Sequence, residues 1–339
     1  MRGLITDLLA DGGIPVVGEA KDGVDALSVI AETQPDVVTM DLEMPRMNGI
    51  EAVEKIMADQ PTPVLMLSAY TDDDATVTFE ALEKGAVDFF AKPGGEVSMG
   101  VSRLADQLIA TVQSVADADL QRAGRKNATP ATATVPAAGS ARSMPDLPPF
   151  DDTRTVVIGS STGGPNAVEQ VLQKLPAGDC RVLVVQHMPE AFTARFADRL
   201  DENSAYDIRE ASDGARIGAG EALVARGGTH MEISNYRRGR LRVKLIDDDR
   251  GHTVMPAVDV TMQSAAEQIT DPLTGVILTG MGSDGTDGIC AIRDAGGRTI
   301  AQNEDSCVIY GMPKRAIEAG CIEEVCHLDA VASTVRELV

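Results

Sequence analysis

Two stretches of this chain alternate short apolar runs with longer runs at helical spacing, and a segment without apolar period separates them. The first stretch predicts a helix over Leu4–Ala10, a strand over Val16–Glu19, a helix over Gly23–Glu32 and a strand over Val37–Met40. It continues with a helix through Ile50–Met57, a strand over Val64–Leu67, a helix through Ala75–Lys84, a strand over Ala86–Phe90 and a helix after Val97. The second predicts strands over Thr155–Ile158, Arg181–Val185, Ala222–Ala225, Leu241–Ile246, Thr274–Leu278 and Thr299–Ala301. Between and after them lie helices over Pro165–Leu175, Ala191–Leu200, Val260–Gln268, Thr286–Ala295 and Pro313–Ala319, and a last helix from Asp329. Such strands, short and apolar on both faces, belong to sheets covered by helices. The pattern predicts an α/β chain of two doubly wound parallel-sheet domains, residues 1–115 and 153–339, joined by a flexible linker over 116–152.

In doubly wound sheets chemistry gathers at the carboxyl ends of the strands. Asp41, Ser68 and Lys92 fall there in the first domain, and Ser161, His187 and Asp284 in the second. Ser161 sits at the centre of Gly159-Ser160-Ser161-Thr162-Gly163, a G-x-S-x-G pattern that on a strand-to-helix turn presents one hydroxyl above the sheet. A hydroxyl, an imidazole and a carboxylate at one sheet edge supply a nucleophile, a base and an orienting acid. Their order along the chain, Ser then His then Asp, differs from that of the α/β-hydrolases, so the motif alone does not assign that fold.

Other readings of the same residues stay open at this level. The glycines around Ser161 suit a phosphate cradle at a helix N-terminus, although a nucleotide site would also want a Walker lysine or an acidic ribose partner, and the sequence shows neither. Ser160 competes with Ser161 as the attacking serine. His230 and His252 compete with His187 as the base, and Asp284 could simply cap the following helix. A response regulator that only docks on partners is a third reading.

Charge and composition narrow the classes. With 339 residues, a net charge of −22 and only 3% aromatic residues without tryptophan, the chain is predicted to avoid nucleic acid and anionic membrane. An acid-rich, lysine-poor surface also suits a salty cytoplasm, where screening shortens self-repulsion. Five cysteines, an odd number without C-x-x-C, predict buried thiols in a reducing compartment. No apolar run reaches the roughly 20 residues that span a bilayer, and a cytoplasmic location is expected.

Two resemblances carry these readings further. PDVVTMDLEMPRMNGIEA, PVLMLSAY and GAVDFFAKP together resemble a response-regulator receiver domain, a flavodoxin-like fold. The resemblance implies that Asp41 is the phosphoacceptor, that Ser68 follows the phosphoryl group, and that Lys92, before Pro93, pairs with it. It further implies a Mg²⁺ ion held by Asp41 and an acidic pair on a first strand. The chain offers four strand candidates where the family has five, so that strand and its acids are expected upstream of Met1. Reading the coding DNA before Met1 checks this: an in-frame stop with no such strand would sink it.

IGSSTGGP, VVQHMP, VDVTMQSAAE, ILTGMGSDGTDG and TIAQNEDSCVIYGMPKRAIEAG resemble the catalytic domain of the chemotaxis response-regulator protein-glutamate methylesterases. That resemblance implies a triad of Ser161, His187 and Asp284, with Thr162 and Met281 beside the oxyanion. It implies hydrolysis of glutamyl methyl esters on methyl-accepting chemoreceptors, deamidation of receptor glutamines, and no cofactor for catalysis. A chemotaxis histidine kinase would phosphorylate the receiver, which would act as a lid.

Overall fold

The structure, a computed structural model, describes residues 2–69, 72–92, 101–118 and 153–337. The chain divides into two compact units, Met1–Gly124 and Arg125–Val339.

The first unit contains helices α1 (Arg2–Asp11), α2 (Gly23–Thr33), α3 (Gly49–Asp59), α4 (Asp72–Glu83) and α5 (Val101–Ala116). Local chemistry starts two of them. The Asp22 side chain caps α2, and Asn48 with Glu51 forms a reciprocal capping box on α3. Strands β1 (Val38–Asp41), β2 (Val64–Ser68) and β3 (Asp88–Ala91) form a parallel sheet in that order. Every residue of β2 is buried, as a central strand between helical layers requires.

The strand expected over Val16–Glu19 does not form, and Val17 is 55% exposed. A strand exists only against a partner, and among the described residues no strand ladders with this segment: β1 pairs with β2 alone. Among the described residues the unit therefore holds three strands rather than the four expected. Pro93 and most of the expected linker lie outside the described residues.

In the second unit seven strands form one all-parallel sheet: β4 (Arg154–Ser160), β5 (Cys180–Gln186), β6 (Asp207–Glu210), β8 (Glu221–Val224), β11 (Leu273–Ile277), β12 (Arg298–Gln302) and β13 (Glu324–Cys326). Their order is β13-β12-β11-β4-β5-β8-β6, which sets β4 between β11 and β5. Helices α6 (Gly164–Lys174), α7 (Glu190–Glu202), α8 (Val258–Gln268), α9 (Thr286–Asp294), α10 (Met312–Glu318) and α11 (Val331–Glu337) accompany it. The expected doubly wound plan holds. Edge strands β6 and β13 escaped the sequence reading because partly exposed edges lack the apolar run of central strands.

The Leu241–Ile246 segment does form a strand, but not in that sheet. It lies within β10 (Arg240–Ile246), which pairs antiparallel with β7 (Arg216–Ile217) and β9 (His230–Arg237). Buried Arg181 ties this small sheet to the large one, donating to Gly239 O, to Thr155 Oγ1 at 2.8 Å and to Asp271 Oδ2 at 2.6 Å.

The cysteines depart from expectation. Cys290 and Cys321 form a disulfide with Cα atoms 4.9 Å apart, so not all five are thiols. The 31-residue separation gave no sign of the pairing, which arises where α9 packs near the end of α10. Cys180 and Cys307 are buried free thiols, and burial pushes the Cys180 thiol up to about 12.

Candidate active site

Adjacent strands β11, β4 and β5 deliver the three predicted residues to one edge. Ser161 follows β4, His187 follows β5, and Asp284 lies in the turn between β11 and α9. The backbone stitches the strand ends together: the Ser161 N–H donates to Thr279 O at 3.0 Å and the His187 N–H to Ser160 O at 3.1 Å. At Gly280 a side chain could not fit, since a Cβ would come 2.8 Å from Ser161 Cβ. The bare backbone lets the turn that carries Met281 close onto the serine.

His187 Nε2 lies 2.6 Å from Asp284 Oδ2. That carboxylate is unusually well held. Oδ2 also accepts from Val258 N at 2.6 Å, while Oδ1 accepts from Asp259 N at 3.1 Å and Gly285 N at 3.0 Å. Val258 and Asp259 open α8, whose preceding residue Ala257 has no capping side chain, so Asp284 caps that helix from another part of the chain. Burial pushes the Asp284 carboxyl up, but the His187 ring and these backbone donors outweigh it and hold it down to about 2. The acid therefore stays ionised and fixes the ring, leaving Nδ1 to face a proton donor. Ser161 is half-buried and makes no hydrogen bond to that ring here, a looseness common before substrate binds.

The choice between serines follows from burial. Ser160 is fully buried and its hydroxyl donates to Gln186 Oε1 at 2.6 Å, whereas Ser161 keeps solvent access. One of the two competing imidazoles separates in the same way. His230 is buried, with Nδ1 accepting from Ala257 N at 3.0 Å and Nε2 facing Asp249 O at 3.2 Å, so both ring nitrogens are engaged. His252 packs edge-on against it, 5.4 Å between centroids.

The N–H groups of Thr162 and Met281 donate to no acceptor among the described residues, while neighbouring Ser161, Gly164 and Gly280 all do. Thr162 is buried and Met281 is 40% exposed. Free backbone donors flanking a serine are what an oxyanion needs.

Asp259 was not picked out by sequence reasoning. It is buried and accepts from Gly288 N at 2.7 Å beside Asp284. Burial pushes its carboxyl up to about 7, the negative Asp284 and Asp287 add to this, and the Gly288 N–H opposes it. Its only sequence signal was an acid in the first turn of a helix, a common and unspecific feature.

In the first unit, Asp41 ends β1, Ser68 ends β2 and Lys92 follows β3. Lys92 Nζ lies 2.6 Å from Asp41 Oδ1, and the Lys92 N–H donates to Ser68 O at 2.7 Å. The Ser68 hydroxyl is buried and accepts from Thr78 Oγ1 at 2.9 Å. Among the described residues no cluster of three ligand-bearing side chains includes Asp41, so the residues present do not fit the expected Mg²⁺ site.

An α/β sheet that sets a serine, an imidazole and an ionised carboxylate at adjacent strand ends has the arrangement that serine-nucleophile hydrolases use. Residues 156–335 match the family described as CheB methylesterase, and residues 1–100 match the response regulator receiver domain. A protein-glutamate methylesterase/protein-glutamine glutaminase of Haloarcula marismortui is 58% identical, with 100% of this chain and 95% of that protein covered. One from Halobacterium salinarum is 53% identical over 99% of this chain and 96% of its own length. The crystal structure of the Thermotoga maritima CheB methylesterase catalytic domain superposes with a TM-score of 0.52 at 38% identity, covering 57% of this chain and 100% of that one. The chain belongs to the CheB methylesterase family, with a receiver domain ahead of the esterase.

Proposed function

We propose that Ser161, His187 and Asp284 hydrolyse γ-glutamyl methyl esters on methyl-accepting chemoreceptors, and deamidate receptor glutamines, which extends the relatives' names, protein-glutamate methylesterase and protein-glutamine glutaminase, to a receptor substrate. The observation that carries this is the His187–Asp284 hydrogen bond beside a half-buried serine on the neighbouring strand end. Ser161 Oγ attacks the ester carbonyl carbon while its proton passes to His187 Nδ1. Asp284 stabilises the resulting imidazolium. The oxyanion takes the free N–H groups of Thr162 and Met281, worth about 3–4 kcal/mol per donor. Collapse of the intermediate returns the proton from His187 to the leaving oxygen and releases methanol. Water, deprotonated by the same nitrogen, then attacks the acyl-serine and frees glutamate. A glutamine substrate follows the same path and releases ammonia.

These steps use this chain's own residues and need no cofactor. Residues 1–115 serve as the regulatory receiver, 116–152 as linker and 153–339 as the catalytic domain. A cytoplasmic histidine kinase supplies the phosphoryl group to Asp41, where Lys92 is already paired and Ser68 ends the neighbouring strand.

Methanol release from methylated receptor tests the nucleophile. Ser161→Ala is expected to lose at least about a thousandfold in kcat, and Ser160→Ala to keep turnover within about tenfold. The reverse ranking would transfer the role to Ser160.

A further inference from the structure

We propose that Gln186, clasped by Ser160, is a positioning residue that fixes the nucleophile and the base of this site relative to each other. The inference rests on the triad reading above and concerns how the triad is held.

The parallel ladder between β4 and β5 ends on the pair Ser160 and Gln186. Ser161 and His187, the two groups that must exchange a proton, are the first residues beyond it. There the Gln186 side chain takes over from the backbone. Its Nε2 donates to Ser161 O at 2.9 Å and to His187 O at 3.1 Å, so one amide group bridges the two residues of the reacting pair. Carbonyl oxygens only accept, which fixes the amide orientation: nitrogen toward the two carbonyls, oxygen toward Ser160. The Ser160 hydroxyl donates to that oxygen at 2.6 Å.

All hydrogen-bonding capacity of the amide nitrogen is spent on the reacting residues. Ser160 and Gln186 are 0% and 2% exposed, so no water competes for these bonds. The start of α6 closes over the pair: a side chain at Gly164 would run into Gln186 Oε1 and come 2.9 Å from Ser160 Oγ. A buried glutamine that served packing alone would not need both of its donors on the carbonyls of the nucleophile and the base.

Without the bridge, the bond that joins these strand ends beyond the ladder is that from His187 N–H to Ser160 O, and the two reacting side chains drift relative to each other. Misplacement of reacting groups by about an ångström costs on the order of a hundredfold in rate. Gln186 is buried, so binding of the receptor segment changes little.

Steady-state methanol release from methylated receptor by the full chain tests this. Gln186→Ala is expected to lower kcat by roughly 30-fold, with KM within about twofold of the parent. Gln186→Glu keeps the volume but changes the sign of the contact. Ionised, its carboxylate faces two carbonyl oxygens; protonated, it can again donate to one of them. The ratio of its kcat to that of the parent should therefore rise as pH falls from 8 to 6.

A Gln186→Ala kcat within twofold of the parent, a loss confined to KM, or a pH-flat Gln186→Glu ratio would overturn the proposal. Should Gln186→Ala fail to fold by circular dichroism, the Gln186→Glu ratio decides alone. Ser161→Ala runs beside them: turnover retained there refutes the triad reading itself, whereas turnover lost there with Gln186 variants unaffected refutes only the positioning role.

Discussion

Asp284 and Asp259 show how two buried carboxyls a few ångströms apart take opposite states. Four N–H donors surround Asp284 and keep it ionised. Asp259 receives the Gly288 N–H at one oxygen and faces the negative field of Asp284 and Asp287. The stability consequences have opposite signs. A depressed acid such as Asp284 contributes stability above its unfolded value near 3.8 and loses it as pH falls toward about 2. A raised acid such as Asp259 is neutral in the fold, so its contribution is complete below about 3.8 and is lost as pH rises through about 7. Asp259→Asn removes that penalty, and its denaturation midpoint relative to the parent should climb between pH 5 and pH 8. A difference that stays flat or falls over that range would show that Asp259 is ionised in the fold. At this scale the meeting of Ser161, His187 and Asp284 at one sheet edge was legible, because each stands in a motif at a strand end. Asp259 and Gln186 were not, since each role depends on at least one partner 25 or more residues away.

Among the elements, central strands and amphipathic helices were readable because burial on both faces, or on one stripe, leaves a periodic imprint. Val16–Glu19 carries that imprint and still stays unpaired, since strand formation also needs a partner edge that local sequence does not encode. The antiparallel sheet was half visible: Leu241–Ile246 was recognised as a strand, but its pairing with β7 and β9 depends on tertiary placement. The disulfide between α9 and the segment after α10 belongs to this scale too. Closing a loop of 31 residues removes denatured-state entropy equivalent to about 3–4 kcal/mol. Cys290→Ser and Cys321→Ser should each lower the thermal midpoint by several degrees under oxidising conditions and leave it unchanged under strong reductant. Equal midpoints in both conditions would mean that the bond contributes nothing.

Across the whole molecule, one unit carries the match to the response regulator receiver domain and the other the match to the CheB methylesterase family. The acid-rich composition, with a net charge of −22, favours neither nucleic acid nor an anionic surface, and no described helix is long and apolar enough to cross a membrane. Control of one unit by the other predicts that deleting residues 1–150 raises methanol release from methylated receptor. It also predicts that Asp41→Asn, which takes no phosphoryl group, abolishes stimulation by the kinase while leaving basal turnover in place. Unchanged turnover on deletion would refute restraint by the receiver. The two-unit plan was legible because the apolar pattern lapses between the units; how they act on each other left no local trace.

The central claim is that Ser161 is the nucleophile activated by His187. A fluorophosphonate reacts only with an activated serine, so labelling the full chain and mapping the adduct by peptide mass spectrometry tests it most directly. One adduct on Ser161, absent in His187→Ala and retained in Ser160→Ala, is the predicted result. An adduct on Ser160, or labelling of Ser161 that persists in His187→Ala, would contradict the account.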